Sequence, residues 1–528
     1  MGALLPAASA AVIESAEIVN PGAYPVFKRA EANPAFALKV NEGAAEEVNA
    51  FQLIFKVNHP AAISEIRLRA GDDKGLSFEK DEVIASAMPS KKGVVKLTCK
   101  DGTPAGHLWI DVQPSERATV GGLITFSDFV LKSKGCKAKL DKEMEITQRI
   151  GYMVAVPGEK VDGRNCKAFR IPGLICTDKG TLVGCFDARY HHEGDLCADI
   201  DVAVVRSTDG GQTWTEPFVG MDSGPGGNNG CGDPCILQDP KNGRIWMQAL
   251  ACHFGGGRAL SKSAPGMKPE ETGQWEMVYS DDEGKSWSRI INATQDVKKP
   301  EWSTYFAGPG NDIALKDGTL VFPSQFWMGF NPKGTICYSK DNGKTWKTGG
   351  GGVPHRTSEC QIVELKDGSI MINCRNEARG GKRVVYVTKD LGDTWEPHET
   401  NLKALQEPTC QASLIRAKTA KGDLLLFSNP KSGGRNHMTI RYSEDDGKTW
   451  SEGYEYDIRN CMGYSCLAMV DENTVGVFYE TSHRKLGKGG LRGISFLSFP
   501  LESILTGETL PVKKAKKNDK RKKKKTAK

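Results

Sequence analysis

An octapeptide that returns five times, a strand-like run in front of each copy, and 59 glycines among 528 residues together predict an all-β chain. Its larger part is a β-propeller, preceded by an N-terminal β-sandwich. The glycine share, about 11%, exceeds the usual ~7% and signals many turns. Hydrophobic residues make up 39% and charged residues 26%, which excludes a wholly disordered chain. No apolar run reaches the ~18 residues of a membrane span. The net charge of +6 hints at an anionic partner until it is located. Residues 513–528 hold eleven Lys or Arg and one Asp, which leaves −4 on residues 1–512.

The segments follow in chain order. The start, MGALLPAASAAVIES, carries Ala8-Ser9-Ala10 as a mimic of a cleavage site but lacks a basic leader, so it reads as a poor signal peptide. Residues 1–145 alternate like half-buried strands at Phe51, Leu53, Phe55 and Val57, then Ile66 and Leu68, then Leu108, Ile110 and Val112. This predicts the separate sandwich, a lectin-like module or a spacer. Trp109 is its one evident aromatic platform, which favours the spacer. The boundary falls near Lys137–Glu145.

The repeats fill residues 146–505. They are Ser207–Trp214, Ser280–Trp287, Ser339–Trp346, Thr388–Trp395 and Ser443–Trp450, with the pattern [ST]-x-D-x-G-x-[ST]-W and starts 73, 59, 49 and 55 residues apart. The Asp accepts turn N–H groups, the Gly permits positive φ, and the Trp carries apolar area into the layer below. VAVVR, EMVY, TICY, VVYV and MTIRY precede the copies, and Asn242-Gly243, Asp317-Gly318 and Asp367-Gly368 mark further turns. Each copy is a hairpin turn, not a catalytic element. Residues 506–528 are a Lys-rich tail that cannot bury a core and is expected to be disordered. Such a tail either adheres to anionic surfaces or is merely solvated. The fifteen Cys, among them Cys176, Cys185, Cys337 and Cys374, read as isolated buried thiols. No Cys pair has metal spacing, Cys231 and Cys235 being the nearest approach.

The repeats follow Phe169-Arg170-Ile171-Pro172, and this combination resembles the sialidase (neuraminidase) family, whose members cleave terminal sialic acid. The resemblance covers roughly residues 146–500. The run that starts at Leu405 (LQEPTCQASLIRAK) is similar to gut-bacterial sialidases, so a bacterial exo-α-sialidase is the implied activity. It implies a six-bladed propeller with Asp-box turns and residue roles as follows. Sialic acid bears a carboxylate on its anomeric carbon, and the family holds it with three arginines, whose planar fork suits a carboxylate. The matching positions are Arg170, Arg375 and Arg435, with Arg441 a competitor for the third. The family's nucleophile is a Tyr, an exception among glycosidases. A neutral phenol avoids like-charge repulsion with the substrate, yet with its pKa near ~10 it needs a base.

Tyr464 matches the nucleophile and Glu359 the base, with Glu364 the alternative. Asp195 matches the acid/base on the loop from Asp187 to Asp201, ahead of Glu193, Asp199 and Asp201. Arg189 contacts a sugar hydroxyl or braces that loop. Glu480 matches the residue that orients Arg170, and Asp233 a substrate-side Asp that otherwise reads as a turn residue before Pro234. Trp302, Gln325 and Trp327 are candidates for the acetamido or glycerol pockets. His191 and His192 are adjacent, point apart on a strand and lack a third ligand, so no metal is expected, and no cofactor.

The expected partners are sialylated glycans, with no specific nucleic acid and no membrane span. A secreted, periplasmic or cell-surface location follows from the substrate class. Three rivals remain. A non-catalytic sialic-acid binder explains the arginines but not Tyr464, Glu359 and Asp195. A trans-sialidase or intramolecular trans-sialidase shares the core. A nucleic-acid binder rests on the tail alone.

Overall fold

The computed structural model describes residues 10–19, 22–41, 46–73, 75–76, 83–224, 226–254, 262–419, 422–482, 492–507 and 513–514. The chain divides into two compact units. One comprises Met1–Lys28, Ala32–Ile150 and Leu510–Lys528, the other Arg29–Glu31 and Gly151–Thr509. Residues 1–9 of the starting segment and residues 515–528 of the Lys-rich segment lie outside the described residues. Thr506 closes a short helix, Leu501–Thr506, and the Lys513–Lys514 backbone pairs with Met144–Glu145, so the expected tail is not wholly without structure.

In the first unit, Ala16–Val19, Pro34–Val40, Gly106–Pro114 and Ile63–Asp72 form one antiparallel sheet, and Leu123–Ser133, Phe51–Val57 and Val94–Cys99 belong to another. Alternation sets which face each strand buries, and Phe51, Leu53, Phe55 and Val57 all point inward. The two sheets share one core: Phe36 of the first meets Phe55, Phe126 and Phe129 of the second with ring centroids 6.0, 5.0 and 5.5 Å apart. Trp109 is buried and donates its Nε1–H to Asp72 O, so it is a core residue and no platform.

The second unit is a succession of sheets built mainly from antiparallel neighbours, with Gly310–Asn311 added parallel to Gly230–Gln238. The first holds Ala168–Cys176, Leu182–Arg189, Ile200–Ser207 and Phe218–Met221. The next begin with Gly230–Gln238, Thr304–Ala307, Thr357–Glu364 and Ser413–Ala417. The last runs Ser465–Asp471, Thr474–Ser482, Arg492–Pro500 and then Tyr152–Ala155 of the Met144–Ala155 strand. Strands of neighbouring sheets touch one another, Ile313–Ala314 and Leu320–Met328 meeting Thr357–Glu364, and Ser465–Asp471 returns to Ala168–Cys176. The succession therefore closes on itself, as propeller blades do.

All five repeats fold alike. Ser207 Oγ donates to Asp209, Gly211 N donates to Ser207 Oγ, and Thr213 N donates to Asp209. The same three bonds recur around Asp282, Asp341, Asp390 and Asp445. Slight burial pushes these carboxyls up, but the hydroxyl and N–H donors outweigh it and hold Asp282 and Asp341 at about 2. They are permanently ionised turn anchors. The box tryptophans reach the preceding sheet: Trp214 packs on Phe478 and Phe496, and Trp346 on Trp246.

This packing makes one glycine strict. Gly343 has φ +82°, and a Cβ there would lie 2.2 Å from a ring carbon of Trp246; Gly368 has φ +85° with nothing within 4 Å. Gly368→Ala is expected to cost ~1 kcal/mol of backbone strain, and Gly343→Ala a further ~1–3 kcal/mol of overpacking. Urea unfolding of the two variants checks this, and equal losses would count against the wedge.

Candidate active site

Three of the predicted residues sit on β-bulges, where the extra residue re-aims a side chain. The pairing of Ala168–Cys176 with Leu182–Arg189 shifts between Arg170 and Gly173, and Ile171 there has φ +62°. A β-branched residue in the left-handed region is strained and persists only where its surroundings impose it. The second shift falls between Gly232 and Cys235 and includes Asp233, at φ +56°. The third falls between Ser358 and Cys360, around Glu359. All three lie near the N-terminal ends of first strands, and Tyr464 immediately precedes Ser465–Asp471. Arg189 and Arg375 sit at the C-terminal ends of antiparallel neighbours, opposite Ala168 and Ser358. One end of the sheet succession thus gathers every element of the site.

There they line a cavity of about 390 Å³ with Arg170, Asp195, Asp233, Glu359, Arg375, Arg435 and Tyr464 in its wall. A larger cavity, about 650 Å³, lies at the opposite strand ends around Ile175, Val363, Leu414 and Met469, and it holds none of these residues.

Glu480 is fully buried and ties the site together. It accepts from Arg170 Nε (2.9 Å), Ile171 N (3.0 Å) and Tyr464 N (3.3 Å). The Tyr464 hydroxyl donates to Glu359 Oε1 in a short contact, and Arg375 Nη1 donates to Glu359 Oε2 (2.8 Å) and to the Tyr464 oxygen (3.2 Å). Arg170 and Arg435 lie 5.0 and 5.6 Å from the Tyr464 ring centroid. Arg435 is steadied by Met462 O (2.9 Å) and Thr409 O (3.3 Å). Burial, then the Glu359 carboxylate, push the Tyr464 phenol well above its ordinary value, against Arg375, Arg435 and Arg170. The resting hydroxyl is neutral, and Glu359 is placed to take its proton.

Asp195 projects into solvent, its side chain 78% exposed, yet accepts from Arg189 Nη1 (2.8 Å) and Arg170 Nη1 (3.3 Å). Arg189 is buried, chelates Asp187 Oδ2 (2.7 and 3.1 Å) and donates to Glu193 O (2.8 Å), so it braces the Asp195 loop. Burial, then the carboxylates of Asp187, Asp195 and Glu359, push Asp233 well above the carboxylate range. A neutral Asp233 is a hydrogen-bond donor facing the cavity.

The alternatives sort by position. Arg441 points into the sheet core, donating to Asn429 Oδ1 (2.6 Å), and burial pulls it down to about 10. Glu364 accepts from Lys316 N and lines the other cavity. Glu193 lines the site cavity, whereas Asp199 and Asp201 bind Arg164. His191 pairs with Asp199, and His192 accepts from Gly194 N, so the two rings serve separate bonds. Gln325 and Trp327 are in the wall, but Trp302 is not: it is buried and stacks on Phe326 with centroids 4.2 Å apart.

Two carboxylates escaped the sequence reading. Asp187 grips Arg189, and Glu377 lies 2.9 Å from Arg375 Nε. Each is two residues from its arginine; Asp187 shares a strand with Arg189, where that spacing puts side chains on one face, and Glu377 lies just past the end of Ile370–Asn376.

Three arginines thus converge on a tyrosine–glutamate pair. The BNR repeat-like domain matches residues 188–476. A sialidase from Bacteroides fragilis is 42% identical over 77% of this chain and 76% of its own length. The chain belongs to the sialidase family. Another relative, the sialidase of Clostridium perfringens, is 33% identical over 60% of this chain and 87% of its own. A solved Hadza microbial sialidase superposes with a TM-score of 0.80 at 34% identity, covering 92% of this chain and 100% of that one. As a family member the protein is a glycoside hydrolase.

Proposed function

We propose that the protein is a retaining exo-α-sialidase that releases terminal sialic acid from glycoconjugates through a covalent tyrosine intermediate. The observation that carries this reading is the Tyr464 hydroxyl bonded to Glu359 within reach of Arg170, Arg375 and Arg435. The arginines take the substrate carboxylate. Tyr464 Oη attacks the anomeric carbon while its proton passes to Glu359. The bond to the leaving oxygen breaks, and Asp195 supplies that oxygen's proton. Water then attacks the same carbon, Asp195 accepts its proton, and the Tyr464 oxygen recovers its own from Glu359. Two displacements give retention.

The catalytic unit is read as six blades, the last completed by Tyr152–Ala155, and the first unit as a sandwich that acts as a spacer. A location outside the cytoplasm follows from where sialylated glycans are displayed.

The test is proton NMR of a methyl or sugar-linked α-sialoside during turnover. Free sialic acid that appears first as the α anomer is the expected result. A first-formed β anomer would exclude the tyrosine intermediate, and an anhydro or transferred product would assign a transferase.

A further inference from the structure

We propose that Arg164 is a positioning residue for the acid/base loop, an inference that rests on the role of Asp195 proposed above. Arg164 follows the turn Asp162-Gly163, whose φ values of +45° and +85° close the two-strand pairing of Lys160–Val161 with Arg164–Asn165. Asp162 fixes that turn by accepting from Val219 N (3.0 Å). The Arg164 side chain then meets both ends of the segment that carries Asp195.

Its Nη2 lies 2.5 Å from Asp199 and its Nη1 3.2 Å from Asp201, while its guanidinium stacks 3.5 Å from the Tyr190 ring centroid. Tyr190 in turn donates its hydroxyl to Asp201 (2.7 Å), and its N–H reaches Asp199 O (3.4 Å). Residues 190 and 199 are therefore held together, and Asp195 stands near the middle of the loop between them.

The charges explain why an arginine is used here. Asp199 and Asp201 are 6% and 5% exposed, and Asp222 adds a third negative charge beside Asp201. His191 is the other group that pairs with Asp199. Without Arg164, two nearly buried carboxylates would face each other with little compensation, and the loop would open to hydrate them. A planar fork bridges both carboxylates and covers the ring at once, which an ammonium cannot do. The bracing from Arg189 acts on the loop from its buried side, whereas the half-exposed Arg164 acts on its base from outside.

A reaction-specific readout separates this role from general stability. Loop misplacement of ~1 Å costs ~100-fold where a proton must be delivered. A sugar leaving group needs that proton, and an aryl leaving group barely does. Arg164→Ala is therefore expected to lower kcat/KM on sialyllactose by ~10–100-fold and on 4-nitrophenyl α-sialoside by less than ~3-fold. Competitive inhibition by free sialic acid should be unchanged, because the three-arginine clamp is intact.

Arg164→Lys should recover part of the loss. Tyr190→Phe, which keeps the ring and removes the bond to Asp201, should shift the same ratio in the same direction. If Arg164→Ala does not fold, these two variants carry the test. Equal losses on both substrates, or no loss on either, would overturn the inference. Wild-type protein inactive on both substrates would overturn the underlying role of Asp195, and the inference with it.

Discussion

Tyr464→Phe is expected to lower kcat on an aryl α-sialoside by at least ~1,000-fold, the scale seen when a nucleophile is removed. The substitution deletes one oxygen and leaves its surroundings in place. Glu480 still accepts from Arg170 and from the backbone N–H of residue 464. Glu359 still receives Arg375 at 2.8 Å. The hydroxyl lost gives up one hydrogen bond to Glu359, which keeps its Arg375 partner, so its removal is not expected to destabilise the fold by more than ~1 kcal/mol. Thermal unfolding near the wild-type midpoint, with turnover abolished and sialic acid still bound, is the predicted combination. Turnover within tenfold of wild type would exclude Tyr464 as nucleophile.

The five turns were legible in the sequence because they are local. Ser, Asp, Gly and the second hydroxyl satisfy one another within eight residues, as Ser207, Asp209, Gly211 and Thr213 do. The destinations of the tryptophans were not legible, because Trp214 packs on Phe478 and Phe496 from the other end of the unit. The same division holds at the site. Arg170, Glu359 and Tyr464 stand in distinctive local words, whereas Arg435 and Arg441 are six apart and either reads as the third clamp residue. Strand geometry separates the two: Arg441 falls on the buried face of Met438–Ser443, and Arg435 precedes the strand with its guanidinium beside Tyr464. Trp302 is a candidate wall residue in the sequence alone, but the core around Phe326 and Tyr305 claims it. Asp187 and Glu377 needed a pairwise reading, one carboxylate sought two positions from each arginine.

Glu407→Ala is expected to destabilise the catalytic unit by ~3–5 kcal/mol, because it strands a buried charge. Arg383 and Glu407 are both fully buried and 3.0 Å apart. Arg383 spends its other donors on Asn373 Oδ1 (2.7 Å), Asn373 O (3.1 Å) and Cys410 O (2.6 Å). Glu407 accepts in return from Asn376 N (2.7 Å) and Cys410 N (3.1 Å). The pair therefore holds two pieces of the site: Asn376 follows Arg375, and Thr409, whose carbonyl steadies Arg435, precedes Cys410. This gives the run beginning at Leu405 a physical reason to be distinctive. Replacing both charges, in Arg383→Met with Glu407→Ala, removes the stranded ion but leaves the N–H groups of Asn376 and Cys410 unpaired. The double variant should thus be more stable than the sum of the single losses predicts, by ~1–3 kcal/mol, and still less stable than wild type. Urea unfolding of the two singles and the double measures that coupling. Additive losses would show that the ion pair is not the linchpin of this segment. A loss of turnover in folded Glu407→Ala, with weaker inhibition by sialic acid, would trace the same network into the arginine clamp.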